Sequence, residues 1–319
     1  MVYDSAHVFH VAKTGDDANG GLAQQYPIDL AADAKLTIAG ALAVAADGDM
    51  IVLWPGSYDE AVDFDTANKS IHLKGMGNQN ECIIALSAGT SCITLEDNCT
   101  LENISVVCNT SPVGYGVILG AKTNIRILGC HIEGTNDGLF LSGANRRLIC
   151  RESTFKSGYD SVALGTVKGA VFDNCLFQTD GSYGATTSTK ALYGGGSRAT
   201  FNNCVFESTK SSASTGKSIA VQSTNDVWVL NSCVIFADTD ASGAAGNVVA
   251  LYNNGGCLTL NGCSLKTTNS GVSSSYDIQV VAGSVVVNGC NYDISRTTGE
   301  IVASSWHLDK RTRAILGKR

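Results

Sequence analysis

The sequence predicts an all-β solenoid, a right-handed parallel β-helix of short strands wound into stacked coils, with a helix capping its N-terminal end. Three observations carry this reading. One short pattern recurs along most of the chain, residues on either side of its centre alternate as strands do, and the composition favours turns. The segments IRILGCHIEG, LICRESTFKS, VFDNCLFQT, TFNNCVFES, VLNSCVIFA, TLNGCSLKT and VVNGCNYDI share a pattern centred on Cys130, Ser153, Cys175, Cys204, Cys233, Cys263 and Cys290. A weaker earlier copy, LENISVVC, has Ser105 in the central place. A fixed local pattern at an irregular spacing implies a constant core with loops of variable length. At 319 residues the chain has the length of two globular domains, but a solenoid core grows by adding coils. Gly is 35 of the residues and charged residues only 16%, as expected where tight turns are many and surface helices few.

Each column of the repeat has one character. Two residues after the centre stand Ile132, Phe155, Phe177, Phe206, Ile235, Leu265 and Tyr292. Three before it stand Ile127, Cys150, Phe172, Phe201, Leu230, Leu260 and Val287, and five before it Ile125, Leu148, Ala170, Ala199, Trp228, Leu258 and Val285. Period two on each side of the centre is strand alternation. The phase slips by one between the two sides, which marks a bend between two strands. Asp173, Asn202, Asn231, Asn261 and Asn288 lie in that bend, where Asn tolerates the left-handed backbone and stacked amides can bond from coil to coil. A further strand precedes each unit (GVILG, GLFLSG, SVALG, KALYGG, SIAVQ, VVALY, DIQVV), so a coil has three strands, stacked ~4.8 Å from the next.

The columns also account for the 12 cysteines. Cys175, Cys204, Cys233, Cys263 and Cys290 fall in one inward column, where Cys serves as a small, apolar, buried residue. Stacked parallel side chains present the wrong dihedral for a disulfide. No CxxC occurs and His is scarce, which disfavours zinc. Free thiols in this number fit synthesis in a reducing compartment. A net charge of −7 argues against a nucleic-acid partner, and no apolar run is long enough to span a bilayer. The first residues, MVYDSAHVFHVAKTGDD, do not read as a secretory leader.

Before the repeats, AKLTIAGALAVAADGD reads as an amphipathic helix with Leu36, Ala39, Leu42, Ala43 and Ala46 on one face. A solenoid end needs such a lid over its raw core. The runs FHVAKTGDDANGG, LTIAGALAVAADGDMIVLWPGSYDEAV and KSIHLKGMG resemble the N-terminal cap and first coils of the pectin-lyase-like β-helix superfamily, which includes pectate lyases, pectin methylesterases, polygalacturonases and phage tailspikes. The expected organisation is a strand and capping helix over residues 1–50, coils over 51–303 and a basic arm over 304–319.

The resemblance implies work on acidic glycans along an outer face. If the first strands of the coils are aligned, the residues before them are Tyr115, Asp137, Asp160, Thr189, Lys217, Asn247 and Tyr276, a polar or aromatic column expected to face solvent. Asp137 and Asp160 fall on adjacent rungs, about 5 Å apart. Like charges that close can form an acid and base pair; the alternative is a pair of turn-forming residues. Around them, GTNDGLFL and SGYDSVAL only partly match the polygalacturonase motifs, and the later His-Gly and Arg-Ile-Lys motifs have no counterpart. No catalytic set is therefore expected to be complete. Tyr115, Tyr159, Tyr183 and Lys217 are candidate glycan contacts, joined by Tyr193 and Tyr252 in an outer aromatic strip. Asp16 and Asp17 are weak calcium candidates, more simply read as a turn, and no other cofactor is expected. At the C-terminus Trp306 with Lys310, Arg311 and Arg313 forms either a solvated tail or an arm for a partner.

Two functional classes follow. One is a non-enzymatic structural or attachment protein of a virion, such as a head fibre, capsid decoration or tailspike-like protein, made in the host cytoplasm. For this class the resemblance implies a homotrimer, with other virion proteins and a surface polysaccharide as partners. The other is a polysaccharide lyase or glycoside hydrolase acting on an acidic glycan, with its site at Asp137 and Asp160. A bacterial cell-surface protein is a further alternative.

Overall fold

The computed structural model describes residues 7–22, 28–110, 113–182, 188–210, 216–239, 247–268, 274–293, 297–299 and 301–304. They form a parallel β-solenoid. Each coil runs through a first strand such as Asp137–Leu141, a second such as Arg146–Arg151 and a third such as Thr154–Ser157. Third strands stack into a nine-stranded sheet that ends at Gly56–Tyr58 and Ser264–Thr267, and first and second strands share a 20-stranded sheet. We refer to the three stacks as the first, second and third faces. In Val248–Asn261 and Ser275–Asn288 the first and second strands run on as one, with Gly255, Gly256 and Gly283 at positive φ taking the corner. The strand Val8–Val11 pairs in parallel with Met50–Leu53 and so belongs to the same ladder.

The inward columns stand where the repeat puts them. Ile132, Phe155, Phe177, Phe206, Ile235 and Leu265 are in register on the third face. Ile127, Cys150, Phe172, Phe201, Leu230, Leu260 and Val287 are in register on the second. Phe177 lies between Phe155 and Phe206 with ring centroids 5.5 and 4.6 Å away, and Phe172 stacks on Phe201 at 5.0 Å. One centre shifts: Ser105 pairs with His131, so Ile104, not Ser105, holds the central place in the early copy.

The corner between second and third faces divides the role given to Asn. Asn202 donates its amide to Asp173 Oδ1 at 2.6 Å, and Asn231, Asn261 and Asn288 each donate to the Oδ1 of the Asn before them at 2.8 Å. The left-handed residue is the next one along: Gly129, Glu152, Asn174, Asn203, Ser232, Gly262 and Gly289 have φ between 50 and 62°. The stacked amides therefore keep ordinary backbone, and the following residue turns the chain.

All 12 cysteines are free thiols. Cys204, Cys233, Cys263 and Cys290 donate to the carbonyls of Phe172, Phe201, Leu230 and Leu260. Cys thus supplies a small apolar body and a weak donor to a carbonyl of the coil before. Ser153 does the same toward Ile127. Burial pushes the Cys130 thiol up to about 11, and the neighbouring Cys175 thiol with burial holds Cys204 up at about 12. A thiol reagent should therefore label Cys257, the exposed thiol, rapidly in the native protein, and all 12 only after denaturation. Absorbance titration with and without guanidinium checks this.

Ahead of the coils, the helix Ile38–Val44 is shorter than the run 34–49 read as helical and starts four residues later, because Thr37 caps it by accepting from the Gly40 amide. Its buried stripe is consequently Ile38, Ala41, Leu42 and Ala45, while Ala39, Ala43 and Ala46 are exposed. Glu60 accepts from the Ile38 and Ala39 amides at 2.9 Å each, a carboxylate at the positive helix end. Among the described residues no helix is long and apolar enough to cross a membrane.

Candidate functional site

The first face holds the residues singled out from the sequence, in a different arrangement. Asp137 pairs with Tyr115 on one side and Asp160 on the other, as the spacing required. The next residue in the column is Lys190, not Thr189, and the column continues through Ile219 and Val249 to Tyr276. From Thr189 onward the strands begin one residue earlier, which displaces the count. The column is also not solvent-facing. Asp137 is 3% exposed, Asp160 4% and Lys190 7%.

These three form a buried charge cluster. Lys190 Nζ lies 2.9 Å from Asp160 Oδ1 and 3.3 Å from Oδ2. Its ammonium stands 4.5 Å from the Tyr159 ring centre and 5.3 Å from that of Tyr193. Burial, and then the Asp160 charge, push the Asp137 carboxyl up to about 8; burial raises Asp160 to about 6 against the pull of Lys190. Asp137 Oδ1 is buried without a hydrogen-bond partner. Lys210, the last residue of a third-face strand, is buried nearby, and burial together with Lys190 lowers its ammonium to about 8. The pair does have the separated proton affinities of an acid and a base, but it lies beneath the surface and one member is held by a lysine.

The more accessible chemistry of this face lies three residues further along. Ile118, Phe140, Ala163, Tyr193, Gln222, Tyr252 and Gln279 are in register on its outward phase; Ala163 is buried and the others are half-buried, with the Gln279 Oε1 covered. Tyr115 lies against Phe140 at 5.0 Å, and Lys217 Nζ stands 5.0 Å over the Tyr252 ring. Tyr193 and Tyr252 are two rungs apart, about 10 Å. Aromatic faces with amides between them stack on sugar rings and bond their hydroxyls. Of the aromatic strip read from sequence, Tyr193 and Tyr252 share a column and Tyr159 flanks it, while Tyr183 lies outside the described residues. Phe140, Gln222 and Gln279 were not singled out from the sequence; carrying the outward phase of the first strands through every coil would have found them.

At the corner beside this face stands a second feature that sequence reading passed over. Arg146, Lys168 and Arg198 open successive second-face strands in register, and all three are exposed. Among the described residues none of their side chains makes an ion pair. Like charges stacked on adjacent strands repel, so an unpaired row of three on a chain of charge −7 is an electrostatic feature open to an anionic ligand.

The calcium candidates have structural work. Asp17 accepts from the Leu36 and Thr37 amides and the Thr37 hydroxyl at 2.7–3.0 Å, and Asp16 accepts from the Ala18 amide. Among the described residues no group of three or more His, Cys, Asp or Glu is placed to hold a metal. Trp306, Lys310, Arg311 and Arg313 lie outside the described residues.

No protein-family model matches the sequence, and no curated protein matches it. Solved structures do match its shape. The pectate lyase Pel9A aligns at a TM-score of 0.56 and 14% identity over 94% of this chain and 82% of its own. An alginate lyase from Paenibacillus sp. str. FPU-7 aligns at 0.56 and 13% over 82% and 95%, and a pectin methylesterase from carrot at 0.51 and 12% over 96% and 91%. At such identities the likeness is one of fold, and it places the chain among parallel β-helices.

Proposed function

We propose that this protein is a glycan-binding β-helix that displays and attaches rather than cuts. The observation that carries the reading is the outward first-face column of Phe140, Tyr193, Gln222, Tyr252 and Gln279, bordered by the row of Arg146, Lys168 and Arg198. It is long, regular and partly exposed, while the acidic pair beside it is buried. The similar solved structures include proteins named for pectate, pectin and alginate, which supports an acidic glycan as ligand. The setting that fits a stiff binding rod with reduced thiols is a virion component made in a cytoplasm, assembled as a homotrimer.

Calorimetry against polygalacturonate, alginate and neutral dextran tests the binding. The acidic polymers should bind, more weakly as salt rises. Tyr193→Ala and Tyr252→Ala should each weaken binding about tenfold, the equivalent of ~1.4 kcal/mol. Replacing Arg146, Lys168 and Arg198 together with Ala should remove most of the salt dependence. Equal affinity for dextran and the polyuronates would sink the acidic-glycan reading, and light scattering at monomer mass would sink the trimer.

A second reading, a lyase or hydrolase, is favoured by one observation, the raised and unequal proton affinities of Asp137 and Asp160. Shortening of the polymer chains during the same incubations, abolished by Asp137→Asn, would establish it in place of the first.

A further inference from the structure

The buried cluster of Asp137, Asp160 and Lys190 holds the two reactants of an amide bond side by side. Asp160 and Lys190 are opposite residues on neighbouring parallel strands, and Lys190 Nζ lies 2.9 and 3.3 Å from the two Asp160 oxygens. A nitrogen at those distances stands about 3–3.5 Å from the carbon between them, the separation of a pair ready to react. The nitrogen is held in place from other sides as well. It donates to the Ser188 carbonyl at 3.3 Å, and the Tyr159 and Tyr193 rings flank it. Both side chains of the pair are more than nine-tenths buried. In water an amine and an acid stay ionised and do not condense. Away from water the charged forms lose their solvation, so passing a proton from the ammonium to the carboxylate becomes cheap. Asp137 supplies the remaining part. It pairs with Asp160 from the rung before, its Oδ1 is buried without a hydrogen-bond partner, and it keeps its proton up to about 8.

We propose that Lys190 and Asp160 close into an isopeptide bond, with Asp137 relaying the protons. Proton transfer within the pair leaves a neutral amine and a neutral acid. The nitrogen attacks the Asp160 carboxyl carbon, and the new C–N bond replaces a C–O bond. Asp137 gives its proton to the departing oxygen and takes one back from the nitrogen. One ammonium and one carboxylate thus become one amide and one water, with Asp137 unchanged and no outside reactant consumed. Freshly folded chains hold the ion pair and its energetics; in closed chains Asp137 alone of the three still titrates. The bond ties one coil to the next across 30 residues of chain. It also removes the second carboxyl that an acid and base pair would need, so a closed chain suits a rod that binds rather than cuts.

Mass spectrometry of the full chain, kept folded at pH 7 for several days, tests the bond. The chain should be lighter than its sequence by one water. Trypsin should fail to cut after Lys190 and should release residues 157–168 joined to residues 169–198. Lys190→Arg, which keeps the charge but never yields a neutral nitrogen, should abolish the loss of water. Asp137→Asn should slow it at least ~100-fold, the usual contribution of a positioned proton donor and acceptor. A chain that keeps its full mass would overturn the proposal. So would a lost water with trypsin still cutting after Lys190, because the product would then be a succinimide at Asp137-Gly138. If the variants do not fold, the peptide map of the unaltered chain still decides.

Discussion

Lys190→Met should destabilise the protein by about 3–5 kcal/mol, the usual effect of stripping one partner from a buried ion pair, and lower Tm by on the order of 10 °C. Methionine preserves the stem that lies along Tyr159 and Tyr193 but leaves Asp160 and Asp137 facing each other on adjacent rungs without a cation between them and water. Adding Asp160→Asn to the same chain should restore much of the loss, which separates charge from packing. The carboxyls also set a pH dependence. Asp137 keeps its proton up to about 8 in the folded protein against an ordinary 3.8, and Asp160 to about 6. The native state therefore binds more protons than the unfolded one, and stability falls as pH rises from about 4 toward 8. Asp137→Asn, which imitates the protonated acid, should flatten that decline by a few kcal/mol and leave the variant more stable than the parent at pH 8. Thermal melts from pH 5 to 8 check both statements; a parent whose Tm is level across that range would contradict them.

Phe177→Ala should cost about 3–5 kcal/mol. The ring is fully buried, stacks on Phe155 and Phe206, and meets Phe172 and Phe201 edge to face at 5.4 and 6.1 Å. Backbone ladders above and below fix the coils, so the cavity cannot collapse by moving one of them alone. Phe177→Leu should cost clearly less. Contacts in a solenoid are made between neighbouring coils, so exchange in the Ala variant should rise around coils 154–206 and stay level near residues 50–90. An equal rise along the whole chain would show a more globally cooperative molecule than this packing implies.

The interior was legible because inward columns are a matter of period. Phe177, Cys204 and Trp228 can be placed by counting from a centre, and the second-face and third-face strands have nearly constant length. The corner between third and first faces was not, because insertions of different length enter there. There the spacing points to Thr189 where Lys190 stands, and to a surface position for Asp137 and Asp160, which are buried. No periodicity states whether a carboxylate at such a corner is covered by the next coil; Lys190 reaches Asp160 from 30 residues further along. The helix stripe failed for a local reason, since Leu36 precedes the Thr37 cap. The outward column of Phe140, Tyr193, Gln222, Tyr252 and Gln279 lacked any single-residue signature, being a site only as a row.

The ladder headed by Asp173 has a mechanical consequence. Strand hydrogen bonds and the amide chain from Asp173 to Asn288 run along the axis of the rod, coil to coil. A load pulling its two ends apart is shared within each coil by many bonds side by side, but passes from coil to coil in series. The rod therefore yields at its weakest coil interface, whatever the strength of the others. A pull on a chain terminus instead meets the bonds of the outermost coil one at a time, so the molecule resists being stretched far better than being unwound from an end.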